Sequence, residues 1–346
     1  MPPPNLRVMA PRVDLDELRA QLQHWAVSCY DDQVTIADVS PMPGHAGLSF
    51  GFDVVRGGAV VDALVMRMPP KGVRRSGNTD VLRQVPLLQA MWWAQVPVPE
   101  VRWWDDDERW FGVPFTMVDR LPGETFDVRR SVLAGKVDAD AVRSRFEQAV
   151  DALAKIHLVD WRDKLSDWQS PRPLDDEVRF WDTLLDKSAE SEWVPLGRST
   201  RDRLLATVPA DPDVGVFHGD YQTGNLLFAE GRLVAVLDWE ISGIGAQLLD
   251  LGWLLMMNDP ASWANGDALA TVPAFDELVE RYAVASGRYV RLDEVAWFRA
   301  LAGYRFGVIA CFNVMLHRTG KRPDPEWDNI APSVPKLFGR ALDLLG

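Results

Sequence analysis

The chain has 346 residues, 47% of them hydrophobic and 25% charged, with 37 Lys and Arg against 50 Asp and Glu. That composition is globular and excludes disorder, collagen and coiled coil, and at roughly 150 residues per domain the length predicts about two domains. The formal charge of -13 argues against nucleic acid or an anionic membrane surface as a partner and permits a cationic ligand.

Two cysteines, Cys29 and Cys311, are too few for a disulfide framework, and the N-terminus lacks the basic, apolar, small-residue order of a signal peptide. A reducing cytoplasm is the expected compartment. Prolines at 2, 3, 4 and 11 remove backbone donors and predict a tail. Leu15, Leu18, Leu22, Trp25 and Ala26 then recur at helical spacing over 14–27, with Asp14 as N-cap and Asp16 and Glu17 where the helix dipole favours anions. Residues 34–36, 48–55 and 60–68 are β-rich, and Gly57-Gly58 between the last two predicts a tight hairpin. A helix is expected over 79–94, followed by strands at 101–104 and 113–118 flanking the polar turn 105–108.

Beyond Asp119 the helical period dominates, over 141–159, 178–185, 199–207, 248–256, 275–286, 292–316 and 334–345. One β island interrupts these helices: 214–217, then 225–228 and 233–237 on either side of Glu230-Gly231, a second hairpin. The apolar run 301–316 contains Arg305 and Asn313 and is shorter than the ~20 residues of a membrane span, so it reads as a buried helix. The expected division is residues 1–118, a small antiparallel sheet with a helix packed on it, and residues 119–346, mainly helical.

The chemistry concentrates in His218-Gly-Asp220-Tyr-Gln-Thr-Gly-Asn225, directly after an apolar strand, and in Asp238-Trp239-Glu240, directly after the next hairpin. A hairpin returns its far end to its start, so Asp238 should stand near Asn225. A carboxylate and an amide carbonyl so placed suit Mg2+, a hard cation usually held by one or two protein oxygens plus substrate phosphates. Asp220 is then free to face a substrate hydroxyl. His24, His45 and His317 have no partner at metal-ligand spacing, so zinc has little support.

This joint pattern resembles the aminoglycoside phosphotransferase and choline kinase family of small-molecule kinases. The resemblance covers most of the chain and implies an α+β, protein-kinase-like two-lobe fold: a small antiparallel sheet-plus-helix lobe for the nucleotide, and a mainly helical lobe with the catalytic loop and acceptor site. It implies ATP and Mg2+ as cofactors and a small-molecule hydroxyl as acceptor, with no nucleic-acid or membrane partner. By match, Asp220 orients the acceptor hydroxyl and takes its proton, and Asn225 and Asp238 hold the metal. His218 and Asp250 fall to structural support, Asp250 bracing the catalytic loop. Where the family often has Gly-Asp-Pro, this chain has Gly245-Ala246-Gln247. His157 is expected as a packed core histidine.

In the first lobe, Gly44, Gly47 and Ser49 match the loop that cradles phosphate, and Arg67 matches the basic residue on the α and β phosphates. Thr116, Met117 and Val118 match the hinge that pairs with adenine. Gln84 stands where the acidic partner of that basic residue is expected, leaving Asp80 as the nearest acidic substitute. Trp181, Asp182, Trp239, Glu240, Trp253 and the helix around Arg305 are expected to line the acceptor site. Glu240 suits a cationic acceptor such as an aminoglycoside or amino alcohol, and fits a structural hydrogen-bond acceptor equally well; a sugar or alcohol is as compatible. The reading is an ATP-dependent phosphotransferase acting on a small-molecule hydroxyl. Its alternative is a catalytically weak nucleotide-binding regulator of the same fold, whereas a hydrolase using His218 and Asp220 lacks a Gly-x-Ser-x-Gly elbow.

Overall fold

Helix α1 (Leu15–Cys29) starts at Asp14, whose carboxylate accepts hydrogen bonds from the backbone of Asp16 and Glu17, and buries Leu18, Leu22, Trp25 and Ala26 along one stripe. The computed structural model describes residues 13–42, 48–72, 79–128, 131, 135, 137–266 and 272–346. Strands β1 (Val34–Pro41), β2 (Leu48–Arg56), β3 (Ala59–Met68), β4 (Val101–Asp105) and β5 (Phe115–Asp119) form one antiparallel sheet in the order β1-β2-β3-β5-β4. Gly57 and Gly58, at φ 59° and 83°, make the turn from β2 to β3 that an L side chain would strain. Phe50, Phe52, Leu64, Met66, Phe115 and Met117 bury one face of the sheet against α1. Because side chains alternate along a strand, the register sets Ser49, Arg67 and Thr116 side by side on the opposite face.

Helix α2 (Gln84–Trp93) begins later than the pattern over 79–94 predicts, because Val81–Arg83 form a tighter 3-10 turn first. Its Val85, Leu87, Leu88, Ala90 and Met91, with Val96, Val98 and Val101, join the core of the helical lobe. The hydrophobic packing therefore does not divide at residue 118: α1 and the sheet make one cluster, and α2 belongs with the rest.

The helical lobe holds α3 (Ala139–His157), α4 (Trp161–Lys164), α5 (Leu174–Phe180), α6 (Asp182–Leu185), α7 (Trp193–Ala206), α8 (Leu248–Met257), α9 (Phe275–Ser286), α10 (Leu292–Arg318), α11 (Glu326–Ile330) and α12 (Val334–Leu345). Among them lie β6 (Glu124–Thr125), β7 (Val214–Phe217), β8 (Leu226–Ala229), β9 (Arg232–Val236) and β10 (Gly243–Ala246). The β8-β9 hairpin is extended by β6, and β7 pairs with β10. At 27 residues, α10 outruns the apolar stretch 301–316 and is long and apolar enough to cross a bilayer; 78% of its most apolar window, however, is buried inside the protein. It is the central core helix, packed against α8 and α12.

The connection between the lobes crosses the hairpin closely. A Cβ on Gly123, at φ 137°, would lie 2.6 Å from the carbonyl oxygen of Phe228. Just beyond it, β6 pairs Glu124 with Phe228 and Thr125 with Leu227, and the Val236 amide donates to the Pro97 carbonyl at 2.7 Å. The hairpin that ends near Asn225 and Asp238 is thus fixed to the chain entering and leaving the sheet.

Candidate active site

Strand β7 delivers the chain into the loop 218–225, and Gly219 makes its turn possible. The residue has φ 88°, and a Cβ there would lie 2.4 Å from the Ile241 carbonyl oxygen. Asp250, fully buried in the first turn of α8, accepts hydrogen bonds from the backbone amides of His218 at 2.6 Å and Gly219 at 2.7 Å. The same carboxylate lies 3.3 Å from Nε2 of His157, whose Nδ1 is 2.6 Å from the Tyr282 hydroxyl. Burial pushes the pKa of His157 down, so the ring is neutral and packed in the core. His218 is also buried and lowered in pKa by that burial. Its Nε2 donates to the Leu237 carbonyl at 2.8 Å, and its Nδ1 accepts from the Asp220 amide at 3.2 Å.

On this braced loop, Asp220 presents a half-buried carboxylate. Its Oδ1 accepts from the Gln222 amide at 2.8 Å, and its Oδ2 accepts from the Asn225 amide at 2.9 Å. Burial, then the negative charge of Asp238, pushes its pKa up to about 7, against the pull of the Asn225 and Gln222 donors. The Nε1-H of Trp253 approaches closely enough to oppose that shift without forming a hydrogen bond.

The hairpin closes as its turn residues dictate: the Leu237 amide donates to the Asn225 carbonyl at 2.8 Å, which returns Asp238 to the start of β8. Asp238 is exposed and holds a left-handed backbone at φ 64°, a conformation Asp tolerates better than most residues and one that concentrates at functional sites. Asn225 turns its NH2 toward Asp220, and its side-chain carbonyl oxygen makes no hydrogen bond among the described residues, on a backbone that the Leu237 amide ties to the residue before Asp238. Two hard oxygen donors fit Mg2+ completed by phosphates. Among the described residues, no three His, Cys, Asp or Glu side chains converge to hold a metal without such help.

Several expected positions are revised by the geometry. Arg67 forms an ion pair with Glu240, so its acidic partner comes from the loop after the hairpin, and Gln84 is buried at the start of α2. Burial lowers the Arg67 pKa, and the nearby Asp238 charge raises it. Glu240 is therefore spent on Arg67 and is not a free anionic contact for an acceptor. Trp239 is 1% exposed, donates to the Val236 carbonyl at 3.0 Å and lies 4.6 Å from the His218 ring, supporting the loop from inside the core instead of lining a pocket. Trp181 is buried and donates to Glu177 at 3.2 Å.

Thr116, Met117 and Val118 lie within β5 between two paired strands, so their backbone groups serve the sheet; the unladdered chain begins after Arg120. Ser49 stands opposite Arg67 on β2, whereas Gly44 and Gly47 lie outside the described residues. Gln247 takes up the buried polar position of the altered Gly-Ala-Gln stretch, donating to the His157 carbonyl at 2.9 Å and accepting from Arg288 at 2.6 Å. Residues that motif reading passed over are Gln222, Arg83, Arg172 and Glu177. Only Gln222 had a local signal, its place inside the polar cluster.

A sheet lobe that offers an arginine to the far side of the chain, tied to a helical lobe whose loop aspartate and hairpin aspartate converge, is the architecture of a kinase-type phosphotransferase. The chain belongs to the phosphotransferase enzyme family, whose family model matches residues 47–300. It is 28% identical over 296 residues to acyl-CoA dehydrogenase family member 11 of Gallus gallus, covering 82% of this chain and 38% of that protein. The chain thus spans less than two fifths of the length of the curated relatives it matches. In structure it is similar to a candidate aminoglycoside phosphotransferase of Ralstonia eutropha, with TM-score 0.74, 22% identity and coverage of 96% of this chain and 99% of that one. It is also similar to a thermostable mutant of the aminoglycoside phosphotransferase APH(4)-Ia in ternary complex with AMP-PNP and hygromycin B, with TM-score 0.57, 13% identity and coverage of 94% and 98%.

Proposed function

We propose that this chain is an ATP-dependent kinase that transfers the γ-phosphate to a hydroxyl of a small molecule. The observation that carries the reading is the Asp220 carboxylate, held by two amide donors on a loop that Asp250 locks, beside Asn225 and Asp238. The AMP-PNP complex of a structural neighbour supports ATP as donor.

In this reading Asp220 aims the acceptor oxygen. That oxygen forms a bond to the γ-phosphorus as the bond from phosphorus to the β–γ bridging oxygen breaks, ADP leaves, and the hydroxyl proton passes to Asp220. A carboxyl poised near pH 7 is matched to that proton transfer. Asn225 and Asp238 would hold Mg2+, which supplies neutralisation of phosphate charge. Arg67 offers its planar fork to the α and β phosphates, with Ser49 on the neighbouring strand and Gly44 and Gly47 in the loop before it. Adenine falls to the interlobe chain at 120–123, just past the segment first matched to the hinge. Cys29 and Cys311 are free thiols, which fits a reducing, cytoplasmic compartment.

The regulator reading is weaker because Asp220, Asn225 and Asp238 are all present and braced. The test is ADP release from Mg-ATP across hydroxyl acceptors, with Asp220→Asn alongside. A loss of about 10²- to 10⁴-fold in turnover with nearly unchanged ATP affinity is expected. An equal loss of ATP affinity would overturn the role given to Asp220.

A further inference from the structure

We infer that the acceptor carries an acidic group, a carboxylate or a phosphate, recognised by an arginine cluster beside the Asp220 loop; the inference rests on the kinase reading and names the acceptor class. Three guanidinium groups make the cluster. Arg305 on α10 is 1% exposed and lies over the rings of Trp181 at 5.0 Å and Trp253 at 5.1 Å, the same Trp253 whose indole approaches Asp220. Among the described residues, neither its Nε nor its Nη1 makes a hydrogen bond, although Nε is 3.3 Å from Oε1 of Glu177. Arg172 donates to the other oxygen of Glu177 at 2.6 Å, so one carboxylate serves two arginines.

Arg83 donates to the Ser242 carbonyl at 2.9 Å and to the Gln169 carbonyl oxygen at 2.5 Å, and stacks on Trp168 at 4.3 Å. Among the described residues, no carboxylate stands within ion-pair distance of it. Ser242 follows Ile241, whose carbonyl oxygen sits against Gly219, so Arg83 is anchored on the segment that backs the catalytic loop.

A buried positive charge without a full complement of acceptors is costly unless something neutralises it. The Arg172 amide donates to the Ile244 carbonyl at 2.9 Å, so Arg83 and Arg172 are anchored two residues apart on the same segment, and Arg172 shares Glu177 with Arg305; burial lowers the pKa of both Arg83 and Arg305. Asp250 and Asp220, which act on Arg305 at longer range, keep their charge but already accept hydrogen bonds from other donors, Asp250 from the His218 and Gly219 amides and Asp220 from Asn225 and Gln222, and Asp80 acts on Arg83 from beyond ion-pair distance. A cationic group brings only donors and leaves the Nε and Nη1 of Arg305 without acceptors, and Glu240 is already paired with Arg67. An anionic group completes the cluster through charge-assisted hydrogen bonds of the bidentate kind that arginine favours.

The test is calorimetric titration of the full chain saturated with Mg-AMP-PNP, using two matched sets of probes: glycerate, glycerol phosphate, glycerol and serinol, then gluconate, glucose 6-phosphate, glucose and glucosamine. Binding confined to acidic members is expected, and the two acidic arms of each set separate carboxylate from phosphate. In Arg172→Gln, whose side chain is partly exposed and whose Glu177 keeps Arg305, acid binding should weaken at least ten-fold with AMP-PNP affinity unchanged. Arg83→Gln gives an independent second reading. Neutral or amine probes binding as tightly as acids, no acidic probe binding, or acid affinity unaltered in both variants would each overturn the inference. Acid binding without ADP release from Mg-ATP by any acceptor would instead count against the kinase reading alone.

Discussion

Gly219 is constrained twice, by a left-handed backbone and by a carbonyl oxygen 2.4 Å from where a Cβ would stand. The backbone term alone costs about 1 to 2 kcal/mol for an L residue, and the contact is with backbone, which cannot rotate away. Gly219→Ala should therefore lower stability by at least about 2 kcal/mol in denaturant unfolding and displace Asp220, cutting turnover. Wild-type stability and turnover in that variant would mean that the loop is not locked as described. Asp238 occupies a comparable backbone region but is exposed, so its side chain is free for a ligand while its φ of 64° suits Asp. Asp238→Ala is expected to abolish the Mg2+-dependent part of nucleotide affinity at a stability cost of about 1 kcal/mol, because alanine tolerates the left-handed backbone less well than Asp. ATP affinity in the variant that matches the wild type both with and without Mg2+ would remove Asp238 from the metal site.

At the scale of elements, the ion pair of Arg67 on β3 with Glu240 after β9 joins the sheet to the loop beside the metal donors. Such a half-buried pair should show a coupling energy of about 0.5 to 3 kcal/mol in a double-mutant cycle of Arg67→Ala and Glu240→Ala, read by denaturant unfolding. Additive effects would mean that the two side chains do not cooperate. Why that pairing escaped sequence reading is instructive, because the elements that were legible are those set by local chemistry. The Asp14 cap, the Gly57-Gly58 turn, and the Glu230-Gly231 turn at φ 50° and 76° each fix their element within a few residues. The convergence of Asn225 and Asp238 followed from the second turn. By contrast, Gly243-Ile-Gly-Ala has little intrinsic strand preference and becomes β10 by pairing with β7. Likewise α2 leaves the sheet for the helical core through tertiary packing, and Glu177 meets Arg172 and Arg305 from three separate segments.

Over the whole molecule, the catalytic loop and the deep core share a single carboxylate. Asp250 accepts the two loop amides and faces His157, while His157 is also surrounded by Tyr282, Arg288 and Asp213, and His218 by Asp250 and Asp238. Both imidazoles have pKa values lowered by burial, whereas in the unfolded chain they return to about 6.5. Below that pH the unfolded state takes up protons that the folded state refuses. The histidine contribution to stability is therefore complete above about pH 6.5 and is lost as the pH falls below it, at most about 1.4 kcal/mol per pH unit for each ring. Asp220 works in the opposite sense: its raised carboxyl pKa makes the fold bind more protons than the unfolded chain from the ordinary carboxylate range up to about 7. The net slope mixes these effects with relief of the overall charge of -13, so a comparison of variants isolates the histidine. His157→Gln keeps a donor toward Asp250 but removes one titration. Between pH 5 and 6.5 its unfolding free energy should fall less steeply with acidification than that of the wild type, by up to about 1.4 kcal/mol per unit. Parallel slopes would show that His157 is already able to protonate in the fold, and that the core behind the catalytic loop is wetter than its packing implies.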